Sequence, residues 1–348
     1  MFRVLSKFND EIKRRREFKT VDIVRRLGVI TPNRLYLRNY PITNPVTAFN
    51  PSLLIEGEQL TLYARITLGY FTYASAVAEI KIPIAEVGDI SRSYYNAEIV
   101  VYPENKFDIW GVEDPRVYKV GERTLMTYCG RTVYYFNPAI RVERTLPVTA
   151  VYEDGKWRKI CVFRVVERLR AHVVSDKDAF LVKTRDLLLF HRIHTDDENY
   201  YLTVSKVPED ALSLREFREV EVTDTCILFE KSPFEEKIGW GSPPIKVDDE
   251  YLLFLHSVDA EFKCYRVFAI LINEDVEVTA ITPYYIMEPR ENYEKYGDRP
   301  FTIFPCGASI YDDKVLISYG ASDSAIGIGE VDLSEIMSIL DSNRLEGG

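Results

Sequence analysis

The chain has 348 residues, 46% hydrophobic and 28% charged, the balance of an ordinary soluble globular protein rather than a disordered one. Its 44 basic and 54 acidic residues leave a net charge of −10, which argues against a general nucleic-acid binder but leaves room for a local basic pocket. No apolar run of about 18 residues is present to span a membrane, and five widely spaced cysteines without a C-x-x-C pattern fit reduced thiols in a cytoplasmic protein.

Residues 1–28 read as an N-terminal helical extension. The segment Met1–Lys19 is rich in charge and lacks the apolar core of a secretory signal. Thr20 is placed to cap a short helix through Leu27, with Gly28 supplying a left-handed residue at its end. Arg14-Arg15-Arg16 reads as a solvated face. Pro32, Pro41 and Pro45 then mark an extended lead-in.

From there one pattern recurs five times: a small or Asx-containing dipeptide, a strand-like run, a polar turn and a second run. The dipeptides are Asn50-Pro51, Asp114-Pro115, Asp178-Ala179, Pro243-Pro244 and Gly307-Ala308. Their second residues are separated by 64, 64, 65 and 64 positions. A strand-rich repeat of this length reads as one blade of a β-propeller. The expected fold is therefore all-β, a five-bladed β-propeller over residues 29–331 flanked by short N- and C-terminal helices. The C-terminal helix and tail occupy 332–348. There Asp332 and Glu335 have capping-box spacing, and Leu333, Ile336, Met337 and Leu340 form one apolar stripe. Both terminal helices are candidates for contacts in a homo-oligomer.

Propeller topology points the residues flanking each inner strand at a central channel. Before the first run of each repeat stand Asn50, Asp114, Asp178 and Ser242; ending the second run stand Arg65, Arg131, His191 or Arg192, His256 and Asp323. For a single blade, an Asx-Pro pair is adequately explained as a turn initiator. Cations and carboxylates at the same two offsets in successive blades point instead to a shared polar cavity, with channel-plugging ion pairs as the structural alternative. His191 and His194 fall on opposite faces of a strand and do not make a metal site. Asp196-Asp197-Glu198 lacks the glycine and the downstream glutamate of a calcium loop. Trp110 and Trp240 are candidates for stacking on the apolar face of a sugar.

Five segments in this order, Gly-Val-Glu-Asp-Pro-Arg (111–116), Lys237-Ile238-Gly239 leading into Pro243-Pro244-Ile245, His256, Phe304-Pro305-Cys306-Gly307 and Tyr319-Gly320-Ala321-Ser322-Asp323, are similar to those of glycoside hydrolase family 130, the β-mannoside phosphorylases and related mannosidases. The resemblance spans about residues 44–331. It implies a metal-free, cofactor-free, inverting cleavage of β-mannosides, such as β-1,4-mannooligosaccharides, with inorganic phosphate as co-substrate and α-mannose 1-phosphate as product. Asp114 matches the catalytic acid, which in some members acts through the 3-hydroxyl of mannose. Lys177, Arg192, Lys237 and His256 match the phosphate-binding positions. Asn50, Arg65 and Asp323, with Asp178, match residues around the mannose. A phosphorylase needs no second carboxylate to activate water, because phosphate is already an anionic nucleophile, but it needs cations to hold it. Two alternatives stand beside this expectation. One is a β-mannosidase of the same fold, with Glu113, Asp178 or Asp259 as base; the other is a glycan-binding propeller without catalysis. Trp240, within the glycine-rich segment, is a candidate to reshape the site, and residues 131–170 depart from the family pattern.

Overall fold

The apolar runs are strands and the polar clusters between them are hairpin turns. In the computed structural model, which describes residues 2–70 and 73–345, Thr47–Glu56 turns at Gly57 and pairs antiparallel with Gln59–Thr67. Gly57 has a φ of 58°, a conformation glycine adopts without a steric penalty. Ser75–Pro83 and Tyr95–Val101 extend the sheet to four strands.

The same antiparallel meander recurs at each repeat. The second comprises Val112–Val120, Arg123–Arg131, Thr145–Glu153 and Lys156–Val165. The third comprises Val173–Lys183, Leu187–Thr195, Tyr200–Lys206 and Arg218–Ile227. In the fourth, Glu235–Trp240 and Ile245–Val247 both pair with Glu250–Asp259, so the inner strand breaks where the sequence reads Gly-Ser-Pro-Pro. Tyr265–Ile272 and Val278–Ile281 complete it. The fifth comprises Ile303–Tyr311, Lys314–Ala321 and Ala325–Asp332. The second and third units are not separate sheets, because Lys156–Val165 and Arg218–Ile227 join them edge to edge in parallel.

Alternation along the strands explains how the units pack. Leu60, Leu62, Ala64 and Ile66 bury one face together with Ala76, Ala78, Ile80 and Ile82. The intervening residues face the next unit, where Tyr63 and Val77 join Val117, Met126 and Tyr128. Each sheet is thus sandwiched, and both of its faces are apolar.

The N-terminal segment departs from the sequence reading. Its helix covers only Asn9–Arg15, and Arg25–Ile30 is a strand that pairs antiparallel with Ala325–Asp332, supplying the outer strand of the fifth unit. Gly28 ends no helix. It lies in this strand, where a Cβ would come within 2.6 Å of Ser91 Oγ and 2.7 Å of Ile90 Cγ1. The partner strand lies some 300 residues downstream, so no local pattern could reveal the pairing. Arg16 is also not solvated. It is 5% exposed, pairs with Glu235 at 2.9 Å and lies 3.9 Å from the centroid of the Phe268 ring. Replacing Arg16 by Met leaves the Glu235 carboxylate buried without its cation, and a loss of about 3 kcal/mol or more is expected in denaturant unfolding. The C-terminal helix, Leu333–Asp341, buries Ile336 and Leu340 as its stripe requires. Asp332 pairs with Lys314 at 3.2 Å instead of closing a capping box. Among the described residues no helix is long and apolar enough to cross a membrane.

Candidate active site

The Asx residues that mark the repeat are β-bulges and not turn initiators. Strand register shifts between Phe49 and Ser52, between Glu113 and Arg116, and between Lys177 and Phe180. Within those shifts Asn50, Asp114 and Asp178 have φ values of 46°, 50° and 55°. A left-handed residue at a bulge re-aims its side chain, and Asn and Asp tolerate that conformation better than other residues with a Cβ. The strained backbone thereby turns three polar side chains out of their ladders. Asp323 arrives differently, from the hairpin after Ala321, with a φ of 51°.

Asn50, Arg65, Asp114, Lys177, Asp178, Arg192, Lys237 and Asp323 all line one cavity of about 330 Å³. On one side, Asn50 Nδ2 and Arg65 Nη1 donate to Asp114 Oδ1 at 2.7 and 3.2 Å. Gly320 makes room for this arrangement, since a Cβ there would stand 1.7 Å from Asn50 Oδ1. That oxygen is buried and accepts no hydrogen bond among the described residues. Glu113, next to Asp114, meets Arg65 at 2.6 Å, Lys177 at 3.1 Å and Arg131 at 3.3 Å. Burial alone would raise its pKa, but the three cations bring it down to about 2. Asp323 behaves in the opposite way: burial, reinforced by the charge of Asp114 and only partly countered by Arg65, pushes it up to about 6.

The other side of the cavity is cationic. Arg192 Nε donates to Asp178 Oδ2, and Arg116 lies 3.7 Å from Asp178 Oδ1. Despite burial, the Arg192 and Arg116 guanidiniums hold Asp178 well below the usual carboxylate range. Lys237 makes no ion pair among the described residues. Its Nζ sits 5.1 and 5.6 Å from the Tyr200 and Tyr265 ring centroids. Burial, then the charges of Arg192 and Arg299, lower its pKa to about 7.

Of the residues that the family resemblance assigns to the site, His256 alone does not line the cavity; Arg131, His191 and Ser242, expected from the repeat offsets, do not line it either. His256 is fully buried one layer behind, with Nε2 3.5 Å from Asp178 Oδ2, and burial drives its pKa down so that it is neutral. Gly239 covers it, where a Cβ would meet its Nε2 at 2.5 Å. Trp240 neither faces a sugar nor shapes the cavity. It is completely buried against Phe190, and its indole N–H donates to the carbonyl of His191 at 3.0 Å. Asp259 lies outside the site, paired with Arg266 and accepting from the backbone N–H groups of Glu261, Phe262 and Cys264. His191 turns into its own blade, between Asp176 and Ser205 at 2.8 Å each.

Two charged residues here were not singled out from sequence, and neither were the lining tyrosines Tyr135, Tyr200 and Tyr265. Arg299 lines the cavity from a loop outside the repeated offsets, with its guanidinium 4.8 Å from the Tyr265 ring centroid. Arg116, in the Gly-Val-Glu-Asp-Pro-Arg segment, is 1% exposed. It donates to the carbonyls of Asp114, Trp240 and Gly241 at 2.8–2.9 Å, tying the bulge to the break in the fourth inner strand.

Comparison with known proteins identifies the family and the fold. Residues 13–342 match the model of a family described as β-1,4-mannooligosaccharide phosphorylase, glycoside hydrolase family 130. Over 325 residues the chain is 26% identical to the β-1,2-mannobiose phosphorylase of Thermoanaerobacter sp. (strain X514), covering 86% of this chain and 97% of the relative. Its backbone resembles that of the Listeria innocua β-1,2-mannobiose phosphorylase in complex with β-1,2-mannobiose. There the TM-score is 0.71 at 17% identity, over 92% of this chain and 99% of the other. A structure reported for glycoside hydrolases of family 130 that target β-1,2 mannosidic linkages in Candida mannan gives a TM-score of 0.67 at 17% identity, over 96% and 97% of the two chains. Because the family match runs from the N-terminal helix to the C-terminal one, through all five repeats, the chain belongs to glycoside hydrolase family 130.

Proposed function

We propose that the protein is an inverting β-mannoside phosphorylase that releases α-mannose 1-phosphate. The observation that carries the reading is a cavity with an acid on one side and Arg192, Lys237 and Arg299 on the other, Lys237 lacking a carboxylate partner among the described residues. In this reading a phosphate dianion supplies the missing negative charge, held by charge-assisted hydrogen bonds from Arg192, Lys237 and Arg299, while Lys177, the fourth cation expected from sequence, stays paired with Glu113 at 3.1 Å. A phosphate oxygen forms the bond to the anomeric carbon as the glycosidic C–O bond breaks, and Asp114 gives its proton to the departing oxygen. Asn50 Oδ1 accepts from a sugar hydroxyl, while Arg65 and Asp323 position the same ring. His256 backs the site as a neutral ring packed against Phe304, with ring centroids 4.4 Å apart.

Hydrolysis would need a carboxylate able to take a proton from water. Of the three bases considered from sequence, Glu113 is committed to three cations with a pKa of about 2, Asp178 is held low by Arg192 and Asp259 lies outside the cavity; Asp323, the carboxylate with a raised pKa, is taken up by the sugar in this reading. Phosphate needs no such base.

The full-length relatives favour a β-1,2 linkage over the β-1,4 linkage expected from sequence. Assay of purified protein on β-1,2- and β-1,4-mannobiose with phosphate tests this point. The β-1,2 disaccharide is expected to give the higher kcat/KM, and preference for the β-1,4 disaccharide reverses the linkage assignment. The reading places the enzyme in the cytoplasm, where its five free cysteines stay reduced.

A further inference from the structure

The segment after Arg131 lies where residues depart from the family pattern, and none of the roles above uses it. Its central residue, Tyr135, lines the same cavity as Asp114. The ring is fixed in place. The Arg131 guanidinium lies 3.5 Å from its centroid, the Tyr135 N–H donates to Thr132 O at 3.0 Å, and its carbonyl accepts from Arg144. Arg131 in turn reaches Glu113 at 3.3 Å, beside the acid. Phe136 meets Tyr135 edge-on at 5.4 Å and Trp110 at 4.7 Å, and it remains 43% exposed. The result is a short aromatic strip running outward from the cavity, its inner ring immobilised on a cation.

We infer that Tyr135 and Phe136 form the platform for the leaving sugar, with Tyr135 stacking on the pyranose next to the scissile bond and Phe136 on the following one. This rests on the phosphorylase reading. An inverting displacement puts nucleophile and leaving group on opposite faces of the anomeric carbon. The cations assigned to phosphate come from the third and fourth units and the loop before the fifth, whereas Tyr135 follows the strand paired with that of Asp114. The leaving sugar therefore departs toward the second unit, where the half-buried Tyr135 ring, held by the Arg131 guanidinium and with that of Arg144 5.2 Å from its centroid, lines the cavity. Apolar pyranose faces stack on such rings, and pre-organisation spares the cost of ordering the side chain on binding.

The test runs the reaction in the synthetic direction, from α-mannose 1-phosphate to mannose or a mannobiose acceptor, using wild type, Tyr135→Ala, Tyr135→Phe and Phe136→Ala. Tyr135→Ala is expected to raise the KM for both acceptors roughly tenfold, with the KM for α-mannose 1-phosphate changing by less than about twofold. Tyr135→Phe is expected to restore most of the acceptor affinity lost in Tyr135→Ala, because the ring and not the hydroxyl does the stacking. Phe136→Ala is expected to raise the KM for mannobiose alone. Unchanged acceptor constants in an active Tyr135→Ala enzyme overturn the inference and leave the phosphorylase reading intact. A parallel rise in the sugar-phosphate KM also overturns it, by showing that the segment only props the site. A change of oligomeric state in Phe136→Ala with unaltered acceptor constants assigns the strip to another copy of the chain. A wild type that neither makes nor consumes the sugar phosphate overturns both.

Discussion

Replacing Asp114 by Asn is expected to lower kcat for mannobiose phosphorolysis by about a thousandfold while leaving KM nearly unchanged. The amide keeps an oxygen to accept from Asn50 and Arg65 and is as tolerant as Asp of the left-handed backbone at this bulge. What it loses is the transferable proton. The deficit should therefore depend on the leaving group. With an aryl mannoside whose phenoxide departs unprotonated, the same substitution is expected to cost only about tenfold. Steady-state kinetics on the two substrates measure the difference. An equal loss on both would assign Asp114 to binding and not to proton transfer.

The second large effect concerns Lys237. Truncation to Ala removes a charge-assisted contact and is expected to raise the KM for phosphate by about 30- to 100-fold, with the KM for the mannoside little altered. The pH dependence carries more information. In the free site burial and two neighbouring arginines bring Lys237 to about 7, below the ordinary lysine value, so the ammonium is fully present only below that pH. Bound phosphate favours the ammonium. Above pH 7 binding must therefore recruit a proton, and the phosphate KM is expected to climb toward about tenfold per pH unit. The second ionisation of phosphate works the opposite way, supplying more dianion as pH rises. Lys237→Arg separates the two effects, because a guanidinium stays charged throughout. The variant profile should lack the climb, and superimposable profiles would remove Lys237 from the phosphate site.

The period of the repeat was legible because the first three units carry the same backbone device. Asn50, Asp114 and Asp178 are spaced alike because each occupies the same bulge, and a residue that tolerates positive φ recurs wherever that bulge does. The polar turns between the runs, such as the one at Gly57, were legible for the same local reason. What sequence could not supply is depth and distant pairing. His256 stood at the expected offset, but its place behind Gly239 depends on the neighbouring strand. Trp240 looks from sequence like a sugar platform and is a core residue, because a position facing the blade interior cannot be distinguished from one facing the channel without the break at Gly241. Arg25–Ile30 carries no mark of a partner at Ala325–Asp332. Arg299 sits in a loop with no counterpart in the other repeats, so no periodic argument reaches it.

Phosphorus and proton NMR of a single incubation with β-1,2-mannobiose, run with and without inorganic phosphate, tests the central claim most directly. The structure predicts α-mannose 1-phosphate and mannose in equal amounts when phosphate is present, and no cleavage without it. Release of two mannose molecules at a rate indifferent to phosphate would contradict it.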